Sequence, residues 1–320
     1  MLPLFLSLPR LMLYDMMVIN KKIKGEMDMK LLITGGSGFL GRRAVGYFET
    51  LGWHVFAPVR NQLNVTEESS LREWFRQNAP EAVIHTAAVS DTGLCQRQPE
   101  WSEHINVDSC VNLARICREY GTKLVICSSD QVYSGSTVPG PHRESEVLCP
   151  GNVYGSQKLH AEQRCLDILP ETVCLRLSWM YAQNDLPGQH SHFLAALKAS
   201  LADENSVLTW PIHDRRGLTD VEVVIQNLPA ALALSGGVWN FGSENDSNTY
   251  DTVKNVLEEM GMRSALRRLV PNEESFAENP RDIAMDLSRL NSAGILFPAT
   301  GEGLKLALSA VVGTEKERLE

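Results

Sequence analysis

The chain lacks a C-x-x-C pair, a long run of one charge, an internal repeat and an apolar stretch long enough to span a bilayer. Each absence excludes something. Its seven cysteines (Cys95, Cys110, Cys117, Cys127, Cys149, Cys165 and Cys174) show no paired spacing, which argues against zinc sites and a disulfide framework. Cys127 in LVICSS and Cys174 in TVCLRL lie in apolar runs, where a thiol acts as a small, unreactive hydrophobe. The expected setting is a reducing cytoplasm. A net charge of −9 argues against a nucleic-acid partner, whose backbone demands a basic face. It leaves room for a local phosphate pocket. No cluster of metal ligands stands out, and no metal is expected.

Residues 1–28 follow neither common targeting pattern. The apolar segment MLPLFLSLPRLMLYDMMVIN is interrupted by Arg10 and Asp15, and its lysines, Lys21, Lys22 and Lys24, come afterwards. A secretory signal carries its positive charge first, and a membrane span needs roughly 20 unbroken apolar residues. The segment is read as an extension outside the fold, or as a start placed upstream of Met27 or Met29. A short membrane-associating helix is the alternative. No membrane partner is expected.

What the chain does have is rhythm. With 320 residues, 43% hydrophobic and 22% charged, it can bury a sizeable core. From Lys30, short β-branched runs alternate with amphipathic stretches: KLLIT, WHVFAPV, AVIHTAA, KLVICSS and TVCLRLSW as strands, with helices between them. One of these helices is predicted over 66–78, starting at Thr66 and Glu67. Strands separated by helices imply right-handed βαβ units and a parallel sheet. The predicted fold is α/β, a Rossmann-type doubly wound sheet over 29–180, with residues 181–320 mainly a smaller substrate-binding lobe. That lobe is expected to include GVWNFG at 237–242. The Gly-, Pro- and Ser-rich loop 133–152 is long enough to be either functional or disordered.

Three groups of residues carry chemistry. TGGSGFLG places Gly35, Gly38 and Gly41 between a strand and a helix, the context in which a glycine fingerprint implies dinucleotide binding. The glycines permit a tight turn, close approach of a pyrophosphate and close helix packing, and the helix N-terminus attracts the phosphates. Phe39 and Leu40 belong to the same cofactor-binding turn. An acidic residue at the end of the second strand would select NAD, but VRNQLN has none, and its Arg60 could receive a 2′-phosphate. NADP(H) is therefore preferred, with NAD(H) as the alternative. Next, Tyr154 and Lys158 are four residues apart, on one helix face. The lysine charge is expected to bring the phenol pKa down from about 10 towards neutrality, fitting it for proton transfer. Finally, Ser129 in SSDQVYSG ends the fourth strand, on the edge where ligands of such sheets bind, and could hydrogen-bond a carbonyl oxygen.

Taken together, TGGSGFLG, HTAA, INVD, SSDQVYSG and YGSQK resemble the extended short-chain dehydrogenase/reductase superfamily. SSDQVYSG, PGNVYGSQKLHAEQ and LRLSWMYA, with looser matches at HDRRGLT and RDIAMDLSRL, narrow the resemblance to the dTDP-4-dehydrorhamnose reductase family, from about residue 29 onward. The resemblance implies NAD(P)H-dependent reduction at C4 of a nucleotide-linked 4-keto-6-deoxy sugar. It implies Ser129 as the carbonyl-binding hydroxyl, Tyr154 as the general acid and Lys158 as its partner on the nicotinamide ribose. Asn64 and Val65 match the adenine-side pair, though the family more often has Asp than Asn. Ala87 and Ala88, with Val89, line the cofactor groove, Asn106 supports it, and Asp130 and Trp179 fall on the substrate side.

Two departures concern the substrate side. The stretch VSDTGLCQ keeps only Asp91 of the acids usual there, and Leu218 stands in place of a proline. A sugar-nucleotide 4,6-dehydratase would need an acidic pair where this chain has Asp130 and Gln131. A sugar-nucleotide epimerase shares the triad. The non-catalytic alternative is an NADP-binding subunit like the regulatory subunit of methionine adenosyltransferase, which resembles the same reductases. A homodimer is the base-rate expectation for assembly.

Overall fold

The computed structural model describes residues 29–184, 186 and 192–316; the extension at 1–28 lies outside them. Six parallel strands form the central sheet in the order β2-β1-β3-β4-β5-β10. They are β1 (Lys30–Thr34), β2 (His54–Phe56), β3 (Ala82–His85), β4 (Lys123–Ser129), β5 (Val173–Leu177) and, after four short strands elsewhere, β10 (Gly237–Phe241). Those four are β6 (Trp179–Tyr181), β7 (Leu208–Pro211), β8 (Asp214–Arg215) and β9 (Leu218–Asp220). The later β11 (Leu269–Asn272) and β12 (Arg281–Asp282) pair with β7 and β8. The helices are α1 (Phe39–Thr50), α2 (Glu68–Asn78), α3 (Thr92–Arg97), α4 (Pro99–Glu103), α5 (Ser109–Tyr120), α6 (Val153–Ile168), α7 (Phe193–Ala202), α8 (Val221–Leu232), α9 (Thr249–Glu259), α10 (Arg263–Arg268), α11 (Ser288–Ser292) and α12 (Thr300–Lys316).

Burial on both faces explains the near-continuous apolar strands. Side chains alternate along a strand. Leu31 and Ile33 accordingly join one core with Ala44, Phe48, Val224 and Leu228, while Leu32 joins the other with Leu71, Phe75, Leu113 and Cys117. A third core, built around Tyr181, Phe193, Leu197, Leu208, Val253 and Leu257, holds together the segments that follow the sheet. The strand order reverses between β1 and β3, where each pairs to the opposite side. That opens a crevice at the carboxyl ends of the strands.

Three expectations change. GVWNFG does not sit in the lobe: Gly237–Phe241 pairs in parallel with Val173–Leu177 and extends the sheet. Because β5 is already buried by β4 on one side, its free edge takes this late strand, and Val221–Leu232 packs against the same core. The helix expected from Thr66 begins at Glu68, because the Thr66 hydroxyl donates instead to Asn64 Oδ1 (2.9 Å). The loop 133–152 is pinned by a fully buried His142, whose ring stacks on Tyr133 with centroids 4.8 Å apart. His142 Nδ1 lies 2.8 Å from Glu146 Oε2 and Nε2 lies 2.8 Å from the Asp282 carbonyl.

Candidate active site

The turn between β1 and α1 is shaped by what a side chain would meet there. Gly35 has a φ of +70°, and a Cβ on it would lie 2.6 Å from the Ala87 backbone nitrogen. A Cβ on Gly41 would lie 2.2 Å from the Gly35 carbonyl oxygen. Both glycines are needed for β1, β3 and α1 to converge so closely. Gly38 is the N-cap of α1, and no side-chain hydrogen bond caps it. Its first-turn N–H groups are thus left without a side-chain acceptor, at the positive end of the helix dipole. A cradle of bare backbone at a helix N-terminus fits a dinucleotide pyrophosphate.

Around this turn, the other proposed cofactor residues divide. Phe39 is half-buried and Leu40 is buried in the sheet core, so Leu40 reaches the turn with its backbone. Arg60 is exposed in the turn after β2. Asn64 is half-buried, with its amide oxygen occupied by the Thr66 hydroxyl and N–H, and Val65 packs on the second core. Ala87 is half-buried and Ala88 exposed at the end of β3. Asn106 is fully buried and is a brace. Its Oδ1 accepts from Val89 N (2.8 Å), while Nδ2 donates to Val89 O (3.0 Å) and to Gln157 Oε1 (2.9 Å). Its polar atoms hold the Val89 segment to α6.

Ser129, Tyr154 and Lys158 converge at the carboxyl end of β4. Asn152 starts α6 by accepting from Gly155 N (2.8 Å), and its Nδ2 donates to Gln131 Oε1 (3.0 Å). The cap thereby ties the helix start to the turn that follows Ser129. Lys158 Nζ lies 5.6 Å from the Tyr154 ring centre and donates to the Cys127 carbonyl (2.8 Å). The Ser129 hydroxyl donates to Asp130 Oδ1 (3.1 Å) and is near enough to the Tyr154 phenol to favour its ionised form. All three side chains are more than nine-tenths buried.

This burial reverses one expectation. Desolvation raises the Tyr154 pKa above its ordinary value, and the opposing Lys158 charge does not overcome it; nearby Asp130 adds to the rise. Tyr154 is therefore a neutral phenol. For Lys158, burial disfavours the charge, but the fields of Tyr154, Cys110, Cys127 and Glu162 outweigh it and raise its pKa, so the ammonium persists. A neutral acid backed by a fixed cation suits proton delivery to an oxygen that is gaining negative charge. Burial also pushes the nearby Cys127 thiol up to about 12, which keeps it out of the chemistry.

On the facing side, Trp179 is 37% exposed, with the Arg216 guanidinium 5.1 Å from its ring centre. Asp130 is buried and paired with Arg216 (2.6 Å). Among the described residues no group of three or more His, Cys, Asp and Glu is placed to hold a metal. No described helix is long and apolar enough to cross a membrane.

The sequence model of the family described as "RmlD substrate binding domain" matches residues 29–312. The chain belongs to that family. It is 29% identical over 274 residues to a dTDP-4-dehydrorhamnose reductase of Streptomyces griseus, covering 82% of this chain and 88% of the relative. It is 24% identical over 280 residues to the methionine adenosyltransferase 2 subunit beta of Pongo abelii, covering 84% and 83%. The fold is similar to that of a crystal structure of dTDP-4-dehydrorhamnose reductase from Bacillus anthracis in complex with NADP. The TM-score is 0.77, with 21% identity over 89% of this chain and 99% of that one.

Both departures noted in this RmlD-family sequence have a local reason. Asp91 caps α3, its carboxylate accepting from Leu94 N (2.7 Å), so this acid is spent on a helix start. Leu218 donates its N–H to Thr300 Oγ1 (3.0 Å), a bond that proline could not make. Sequence reasoning missed Asn152, Gln157 and Arg216. An Asn just ahead of a helical pattern is a capping signal, so Asn152 was readable. Arg216 carried no local signal, because its partner Asp130 lies 86 positions away.

Proposed function

We propose that this chain is an NADPH-dependent reductase that acts on the C4 carbonyl of a nucleotide-linked 4-keto-6-deoxy sugar. The observation that carries the reading is the neutral, buried Tyr154 beside the Lys158 ammonium and the Ser129 hydroxyl, at the mouth of a glycine-lined crevice. Family membership and the reductase relative support it.

When bound in the crevice, the nicotinamide would supply a hydride to the carbonyl carbon. The bare backbone from Gly35 to Gly41 would hold the pyrophosphate. Ala87, Ala88 and the Val89 backbone braced by Asn106 would wall the groove, and Asn64 and Val65 would face the adenine side. Ser129 hydrogen-bonds the carbonyl oxygen, Tyr154 passes its proton to that oxygen, and Lys158 stabilises the charge left on the phenol. NADPH is preferred because β2 ends without a carboxylate while Arg60 is exposed beside it. Trp179 and Asp130 would border the sugar. In this reading residues 29–180 hold most of the cofactor site and residues 181–320 mainly bind substrate, although β10 and α8 complete the sheet core. The expected setting is the cytoplasm, with a homodimer as the default assembly.

The test is NADPH absorbance with a panel of dTDP-4-keto sugars. Oxidation of NADPH with one of them is the expected result. Tight NADPH binding without turnover on any would favour the non-catalytic reading, like the methionine adenosyltransferase subunit it also resembles. The pH dependence is specific too. Reduction requires protonated Tyr154 and Lys158, and both pKa values are raised. Turnover should therefore stay level through neutral pH and fall only as pH rises above the ordinary tyrosine value of about 10. A fall in rate centred near neutrality would contradict the assignment.

A further inference from the structure

The two oxygens of Asp130 serve two different parts of the protein. Oδ1 accepts from the hydroxyl of Ser129 (3.1 Å) at the end of β4, and Oδ2 accepts from Arg216 Nη2 (2.6 Å) between β8 and β9. Ser129 Oγ in turn accepts from Gln131 N (3.2 Å). A serine has one hydroxyl hydrogen; while Asp130 holds it, it is not available to a substrate carbonyl. How firmly Asp130 holds it depends on Arg216, since a carboxylate whose charge is partly neutralised accepts less strongly. Arg216 is well placed for this task. It is 8% exposed, its carbonyl accepts from Asn245 Nδ2 (2.8 Å), and its guanidinium lies over Trp179. Nε has no partner among the described residues, so the Asp130 contact is its principal ionic bond.

We propose that Arg216 is a positioning residue for the reduction: by neutralising part of the Asp130 charge it weakens that carboxylate's hold on the Ser129 hydroxyl, so that the hydroxyl can turn to a substrate carbonyl, and it shields Tyr154 from the same charge. The proposal rests on the reductase reading. It links the segment that borders the sugar to the proton-donating pair through a single carboxylate. The groups facing Tyr154 are Lys158 from its own helix, Ser129 from the end of β4, Asp130 from the turn that follows it, and Cys95 from α3. Those facing Asp130 are Arg216 and, from β12, Arg281. Removing Arg216 leaves Asp130 under-compensated, so it binds the Ser129 hydrogen more tightly and further disfavours the Tyr154 phenolate.

The experiment compares the holoenzyme carrying Arg216→Met, Arg216→Lys, Asp130→Asn or Arg216→Met with Asp130→Asn. Two quantities are measured: steady-state kinetics, and the titration of Tyr154 by NMR of tyrosine labelled at Cζ, assigned with Tyr154→Phe. Arg216→Met is expected to lower kcat roughly tenfold or more with KM little changed, and to move the Tyr154 midpoint up by about one pH unit. Asp130→Asn added to it should return the Tyr154 midpoint to near the wild-type value and raise kcat above that of Arg216→Met alone, because the uncompensated charge is gone. Arg216→Lys keeps the charge and should hold the midpoint near the wild-type value, which separates the electrostatic role from a folding defect. A tenfold rise in KM with kcat and midpoint unchanged overturns the proposal and makes Arg216 a substrate contact. Failure of Asp130→Asn to rescue also overturns it. If the unmodified protein reduces no keto sugar, the reductase reading fails separately, and the midpoints still decide whether Arg216 shields Tyr154.

Discussion

Tyr154→Phe is expected to lower kcat by ~10²–10⁴-fold, the range that a positioned general acid contributes, while NADPH affinity stays within about threefold. The reason for the split is geometric. The phenylalanine ring fills the same buried space, the Lys158 bond to the Cys127 carbonyl is untouched, and only the transferable proton is lost. Water cannot readily substitute, since Tyr154 is 8% exposed. Single-turnover mixing separates hydride transfer from binding and product release. An undiminished single-turnover rate would remove Tyr154 from the mechanism; a large loss of NADPH affinity would show that its hydroxyl holds the cofactor instead.

The second large effect concerns stability. Glu162 lies one turn beyond Lys158 on α6, and Arg176 lies on β5. Both are at most 2% exposed, and they pair in two bonds, Nε to Oε1 at 3.0 Å and Nη2 to Oε2 at 2.7 Å. The Ser128 hydroxyl donates to Glu162, and Arg176 Nη1 donates to the Tyr133 hydroxyl (2.7 Å), which donates to Asn240 Oδ1 (2.8 Å). The pair thus joins β4, β5, β10 and α6. Glu162→Ala or Arg176→Met strands a buried charge and should each destabilise the fold by about 3–5 kcal/mol. Glu162→Leu with Arg176→Met removes both charges and should lose far less than the sum of the singles. Urea denaturation at constant slope measures this. Additive losses in the double variant would mean that the two residues contribute independently.

How much of this was legible in advance differs by element. KLVICSS reads as a strand over 123–129, and Lys123–Ser129 forms one. A buried parallel strand needs a continuous apolar run, and such a run is visible in one sequence. The helix bearing Tyr154 was equally legible, as were the glycines of the first turn. By contrast, GVWNFG could not be assigned to the sheet, because nothing within six residues says which distant strand edge will accept it. The Tyr154 pKa is hidden from the sequence for a related reason. Spacing reveals the Lys158 charge four residues away, but the desolvation that outweighs it comes from every element packed over the phenol.

By itself, then, the sequence determined the alternation of strands and helices, the glycine turn and the placing of Tyr154 and Lys158 on one helix face. These depend on neighbours within a few positions, through periodicity and backbone freedom. Only the tertiary structure decided that Tyr154 stays neutral, that Asn106 braces the groove wall, and that Asp130 is shared between Ser129 and Arg216. Burial and long-range charge pairing are sums over residues remote in the chain, and they take values only once the chain has folded.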